Sequence, residues 1–97
     1  MNVWITTAEV AVQPGDMPSG DTLGFMKVSM WALSEGDFIE RVKAYFRKHD
    51  WEVLSVENTE QVDASRDYGD EANAMIAETL LDRQAVRLGT YYSYKAN

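Results

Sequence analysis

Between Leu23 and Leu33 apolar side chains fall on both sides of an alternating pattern. Met26, Val28, Met30 and Ala32 point one way, and Phe25, Trp31 and Leu33 point the other, with Lys27 and Ser29 among them. A strand that is apolar on both faces has no side to give to water, so this segment is expected to run through the middle of a sheet. The remaining elements have to supply its neighbours and its cover.

Val3 to Val12 is the first candidate neighbour, rich in Val, Ile, Thr and Trp. Its apolar side switches partway: Val3 and Ile5 share one face, while Ala8, Val10 and Val12 share the other, and a bulge near Thr6 or Thr7 is the expected cause. Gln13 to Thr22 holds Pro14, Pro18, Gly15 and Gly20 and reads as the hairpin connection. Ser34 is an N-cap candidate with Asp37 three residues on, opening a helix whose Phe38, Val42, Tyr45 and Phe46 make one stripe. Acids begin this helix and bases end it, as its dipole favours. Trp51 to Val62 is extended, as one strand or two. A second helix is expected from about Tyr68 to Arg83, with Ala72, Met75, Ile76, Thr79 and Leu80 on one side. Val86 to Tyr94 alternates again as a last strand.

The order is therefore β-β-α-β-α-β, in a single domain of 97 residues. Two amphipathic helices each have one stripe to bury, which predicts an α+β two-layer sandwich, two helices on one face of a four- to five-stranded sheet. If the third strand divides, the segment from Leu23 onward is similar to a ferredoxin-like order with an added amino-terminal strand. No motif points to a family, and such architectures carry many functions.

Composition removes chemistry rather than assigning it. The chain has no cysteine and a single histidine, His49, which excludes thiolate metal sites, disulfide frameworks and a cysteine nucleophile and leaves little for a His-based triad. The glycines match no phosphate loop. No catalytic residue, metal ligand or cofactor site is predicted, and an enzyme is the less expected class. No apolar stretch approaches the ~18 residues of a membrane span and no basic leader is seen, so a soluble cytoplasmic protein without membrane contact is expected.

Net charge is −7, which disfavours a nucleic-acid backbone as partner. Between Asp50 and Asp82 Arg66 is the only base among ten acids. Within that half, Asp63, Asp67, Asp70 and Glu71 form a candidate acidic patch, able to steer a basic protein or simply to start the second helix. Aromatic residues are the other feature above background. If Met26, Val28, Met30 and Tyr92 face the helices, alternation sends Phe25, Trp31 and Tyr91 together to the opposite face, a candidate interface.

An aromatic face of that kind is expected to be covered by a second copy, giving a dimer or larger assembly. The leading functional expectation is a small acidic, non-enzymatic protein-interaction domain that self-associates through this face, with an immunity or inhibitor type of binder inside the same class. The alternative is a small-molecule binder or enzyme with a pocket at a subunit interface, lined by Trp31, Tyr91 and Tyr92.

Overall fold

The computed structural model describes residues 1–95. Its elements are β1 (Asn2–Ala11), β2 (Leu23–Ala32), α1 (Glu35–Arg47), β3 (Glu52–Gln61), α2 (Asp70–Leu81), β4 (Arg87–Leu88) and β5 (Tyr92–Tyr94). All strands join one antiparallel sheet in the order β3-β1-β2-β4, with β5 also paired to β2. The α+β class and the β-β-α-β-α-β order are those expected from the sequence. The third strand is one strand, and the last is two short pieces. No helix is long and apolar enough to cross a membrane among the described residues.

β1 and β2 pair without interruption from Asn2 opposite Ala32 to Ala11 opposite Leu23. Side chains alternate across this ladder, and each face receives a different helix. Trp4, Ala8 and Val10 of β1 and Met26, Val28, Met30 and Ala32 of β2 pack with Phe38, Val42 and Phe46 of α1. Ile5 packs instead with Ala72 and Ile76 of α2, and Ser29 bonds to Thr79 of the same helix. The helices thus lie on opposite faces of the sheet rather than together on one, making three layers.

The switch from Val3 and Ile5 to Ala8 and Val10 is therefore no kink in β1. It marks where each face is covered. Bulges do occur, but in the β1–β3 pairing, between Ile5 and Thr7 and between Glu9 and Val10. At the first, Asn58 takes a left-handed φ of 54°, a conformation that Asn tolerates. The buried Thr6 hydroxyl donates to the Glu57 carbonyl at 3.0 Å there. With one third strand and helices on two faces, the ferredoxin-like variant does not form.

Helix α1 follows its sequence signals closely. Ser34 caps it by accepting from the Asp37 N–H at 3.1 Å, and Asp37 accepts from the Leu33 N–H at 2.8 Å and from Arg41 Nε at 2.9 Å. Phe38, Val42 and Phe46 are fully buried, each contributing on the order of 1.5–3 kcal/mol by transfer from water. Trp4 stacks on Phe38 with ring centroids 6.1 Å apart, and Trp51 on Phe46 at 5.9 Å.

Helix α2 is attached differently. Its buried face is Ala72, Met75, Ile76 and Thr79, and the last of these carries a polar relay. Thr79 Oγ1 donates to the Met75 carbonyl at 2.7 Å, and the Ser29 hydroxyl lies 2.6 Å from Thr79 Oγ1 and completes the chain. Both residues have no solvent exposure. Trp31 Nε1 donates to the Thr79 carbonyl at 2.6 Å, so one turn of α2 is bonded to two residues of β2.

The carboxy-terminal strands explain why the aromatics are not arranged by simple alternation. Leu88 lies opposite Val28, but Tyr92 lies opposite Phe25, so residues 89–91 contain one residue more than a continuous ladder would hold. One extra residue inverts the facing of everything after it. Tyr92 comes to the face of Phe25, and Tyr91 is sent to the α1 face. Gly24 makes room there: a Cβ at this position would sit 2.5 Å from the Tyr91 ring and 2.7 Å from the Tyr92 carbonyl. Glu71 fixes the bulge, accepting from the Thr90 N–H at 3.0 Å and its hydroxyl at 2.6 Å.

Two outcomes test this packing. Thr79→Val leaves the Ser29 hydroxyl without its partner and should lower stability by roughly 1–3 kcal/mol in urea unfolding, and adding Ser29→Ala should recover part of that loss. The Thr90 bonds hold the Glu71 carboxyl below its ordinary pKa. That stabilisation is complete above the ordinary carboxylate range and disappears as pH falls through the depressed value. The melting-temperature gap between the native chain and Glu71→Ala should accordingly be widest near neutrality and close in acid.

Candidate functional site

Helix α2 is shorter than the face it covers. It lies over the end of the sheet that carries Ile5, Ser29 and Trp31, and among the described residues leaves the other end of the same face open. On the open end, Glu9 stands opposite Phe25 and Ala11 opposite Leu23, and β5 adds Tyr94 beside Leu23 and Tyr92 beside Phe25. The Phe25 and Tyr94 rings meet at 5.4 Å with a 31° tilt. Tyr92 is 62% exposed.

The polar atoms of this half-face converge on Glu9. Its carboxylate accepts from the Tyr94 hydroxyl and, at 3.2 Å, from the Ser55 hydroxyl. The bond to Glu9, then burial, then the carboxylate's charge push the Tyr94 phenol up. Glu57 stands opposite Thr7 in the next row, and Lys27 is the base on this side of β2. The surface is an aromatic patch with an acidic centre, backed by the two best-buried strands of the fold.

The interface expected from alternation is divided. Phe25 belongs to the open half-face. Trp31 shares that face of β2 but lies six residues along the strand, about 20 Å away by strand rise, against the carboxy-terminal end of α2. Tyr91 is on the other side, half-buried against the α1 core, where burial first and then Asp21 raise its phenol pKa. For the same reason Trp31, Tyr91 and Tyr92 are not brought together among the described residues. The signal that would have placed Tyr91 is Gly24, a glycine inside a strand pattern, which marks a close approach.

The acidic cluster is engaged in its own turns. Asp63 accepts from the Ser65 N–H at 2.9 Å and hydroxyl at 2.7 Å. Asp67 accepts from the Gly69 N–H at 2.9 Å and from Asn73 Nδ2 at 2.8 Å. Glu71 holds Thr90, and Asp70 opens α2. These bonds hold Asp63, Asp67 and Glu71 below the ordinary carboxylate pKa. Arg66 is likewise occupied, with Nη1 at 2.8 and 2.7 Å from the two Glu60 oxygens. No group of three or more His, Asp or Glu side chains is placed to hold a metal ion among the described residues.

Two clefts meet at Trp31. One, of about 360 Å³, is mainly apolar and lies between α2 and the start of β1, walled by Val3, Val62, Tyr68, Ile76 and Leu80. The other, of about 570 Å³, lies between α1 and residues 84–86 and includes Arg41, Lys48 and Arg83 together with Tyr45. The Arg83 guanidinium carbon stands 4.8 Å from the centre of the Trp31 ring. Sequence reading missed this second cleft because its residues come from three separate elements, none of which carries a motif. Comparison with family models, curated proteins and solved structures finds no match for this chain.

Proposed function

We propose that this protein is a small, non-enzymatic interaction domain that binds a basic protein surface through the open half of its sheet. The observation that carries this reading is the incomplete cover of α2, which leaves Phe25, Tyr92 and Tyr94 grouped around Glu9 on a rigid ladder. Aromatic side chains on a rigid support give large contact area with few rotamers to freeze, the usual make-up of a binding hot spot.

Charge selects the partner. A two-fold pairing of this face with a second copy would set two acidic surfaces, each carrying Glu9 and Glu57, against one another in a chain of net charge −7, and like charges facing each other oppose association. A partner presenting Lys or Arg beside an apolar patch meets both features, since a cation also gains from the faces of Tyr92 and Phe25. An inhibitor or immunity type of role belongs to this class. The cysteine-free composition suits a reducing cytoplasm, where we place the protein.

The test begins with light scattering, where a monomer near 11.0 kDa is expected; a stable dimer abolished by Tyr92→Lys would assign the face to a second copy instead. A basic protein captured at low salt should be released as ionic strength rises. Tyr92→Ala, at an exposed position, should weaken its binding by about 2 kcal/mol or more while leaving the melting temperature unchanged. Glu57→Lys should act mainly on the association rate. Binding indifferent to both substitutions would remove the open half-face as the site.

A further inference from the structure

The cleft beside Trp31 has an electrostatic character opposite to that of the chain. Arg41, Lys48 and Arg83 line it, together with Trp31, Tyr45, Met30 and Val86, and no carboxylate does. In a protein with sixteen acids and nine bases, this cleft carries three bases and no acid among its lining side chains. The nearest carboxylate bonded to any of them is Asp37, which takes only the Nε of Arg41. Among the described residues neither Lys48 nor Arg83 forms a salt bridge.

Arg83 is held in a useful way. Its guanidinium carbon stands over the Trp31 ring at 4.8 Å, and among the described residues it forms no salt bridge, so its N–H donors are available to a carboxylate or phosphate, which a guanidinium can grip at two points. The indole is itself fixed by its 2.6 Å bond to the Thr79 carbonyl, so the cation stands on a rigid platform. Lys48, from the end of α1, supplies a second charge. Tyr45 offers a flat surface on the same side of the cleft. A volume of about 570 Å³ is within the range that holds a small organic ligand.

We propose that this cleft binds a small aromatic anion: a flat ring against Tyr45, and one phosphate or carboxylate for Arg83 and Lys48. Neither half suffices alone. The site is on the opposite edge of the sheet from β3 and does not use the open aromatic half-face, so it stands or falls independently of the protein-binding role.

The experiment is a two-dimensional amide titration of the full chain, followed at the Trp31 indole N–H and the amides of residues 83–86. The probes are adenosine monophosphate, 2-naphthoate, adenosine and inorganic phosphate. Adenosine monophosphate, 2-naphthoate or both should give saturable shifts confined to the cleft, and the probe that binds identifies the anion. Adenosine and phosphate should bind about tenfold more weakly or worse. The double variant Lys48→Gln/Arg83→Gln changes two exposed side chains and should keep the native spectrum while losing about tenfold in affinity. Lys43→Gln, a base on α1 outside the cleft, should change nothing. No saturable shift with either ring-bearing anion, or equal affinity in the double variant, overturns the assignment.

Discussion

The uninterrupted ladder between β1 and β2 is the contact on which the rest of the structure depends. Because its two strands are buried on both faces, they fix not one packing surface but two, and every later element is placed by which of them it covers. Ala8, Val10 and Val28 have no solvent exposure, and α1 packs onto them through aromatic and aliphatic mass. Val3, Ile5 and Ser29 form the other surface, where α2 covers a smaller apolar cluster and adds the buried Ser29–Thr79 hydroxyl relay. A polar bond of this kind contributes little net energy when made and costs more when broken, so it sets the position of α2 more than its strength of attachment.

What was legible in the sequence follows from this difference. Ser34, Asp37 and the Phe38–Val42–Phe46 spacing specify α1 by local signals alone, and the observed cap is the expected one. The element order was equally readable, because each segment keeps its own hydrophobic period. The number of layers was not. The change of face in β1 after Ile5 has two physical causes that leave the same pattern, a bulge or cover from both sides, and only the partners of Ile5 and Ala8 separate them. Tyr91 shows a second limit: a single extra residue near Gly89 reverses its side of the sheet, and alternation carried forward from Val86 has no means of registering it.

Charge along the chain was misleading about where charge is free. The run from Asp50 to Asp82 contains most of the acids, yet Asp63 and Asp67 accept hydrogen bonds within their own turns, Glu71 accepts from Thr90, and Glu60 holds Arg66. Ser65 lowers the pKa of Asp63, Gly69 and Asn73 that of Asp67, and Thr90 that of Glu71, which is the behaviour of structural caps. Glu9, isolated in sequence among apolar residues, is the carboxylate that the fold sets in the middle of an exposed aromatic surface. Density of acids in the sequence therefore marks turns and caps here, while the proposed binding surface depends on a lone acid whose neighbours arrive from β3 and β5.

Trp31 shows how the same constraint produces a site. As a residue on the α2 side of β2, it meets the end of that helix, and its N–H is satisfied by the Thr79 carbonyl. The residue lines the apolar groove of Ile76 and Leu80 and also borders the cleft of Arg83. β4 pairs with β2 only at Val28 and Ser29, so the stretch beyond, Met30 and Trp31, lies in a cleft with residues 84–86 rather than in a ladder with them. A β4 longer by two residues toward the amino terminus would pair this region and close it. The cleft is thus the space left by a short strand, and its cationic lining comes from Arg41 in the middle of α1, from Lys48 at the C-cap of α1 and from Arg83 just after α2.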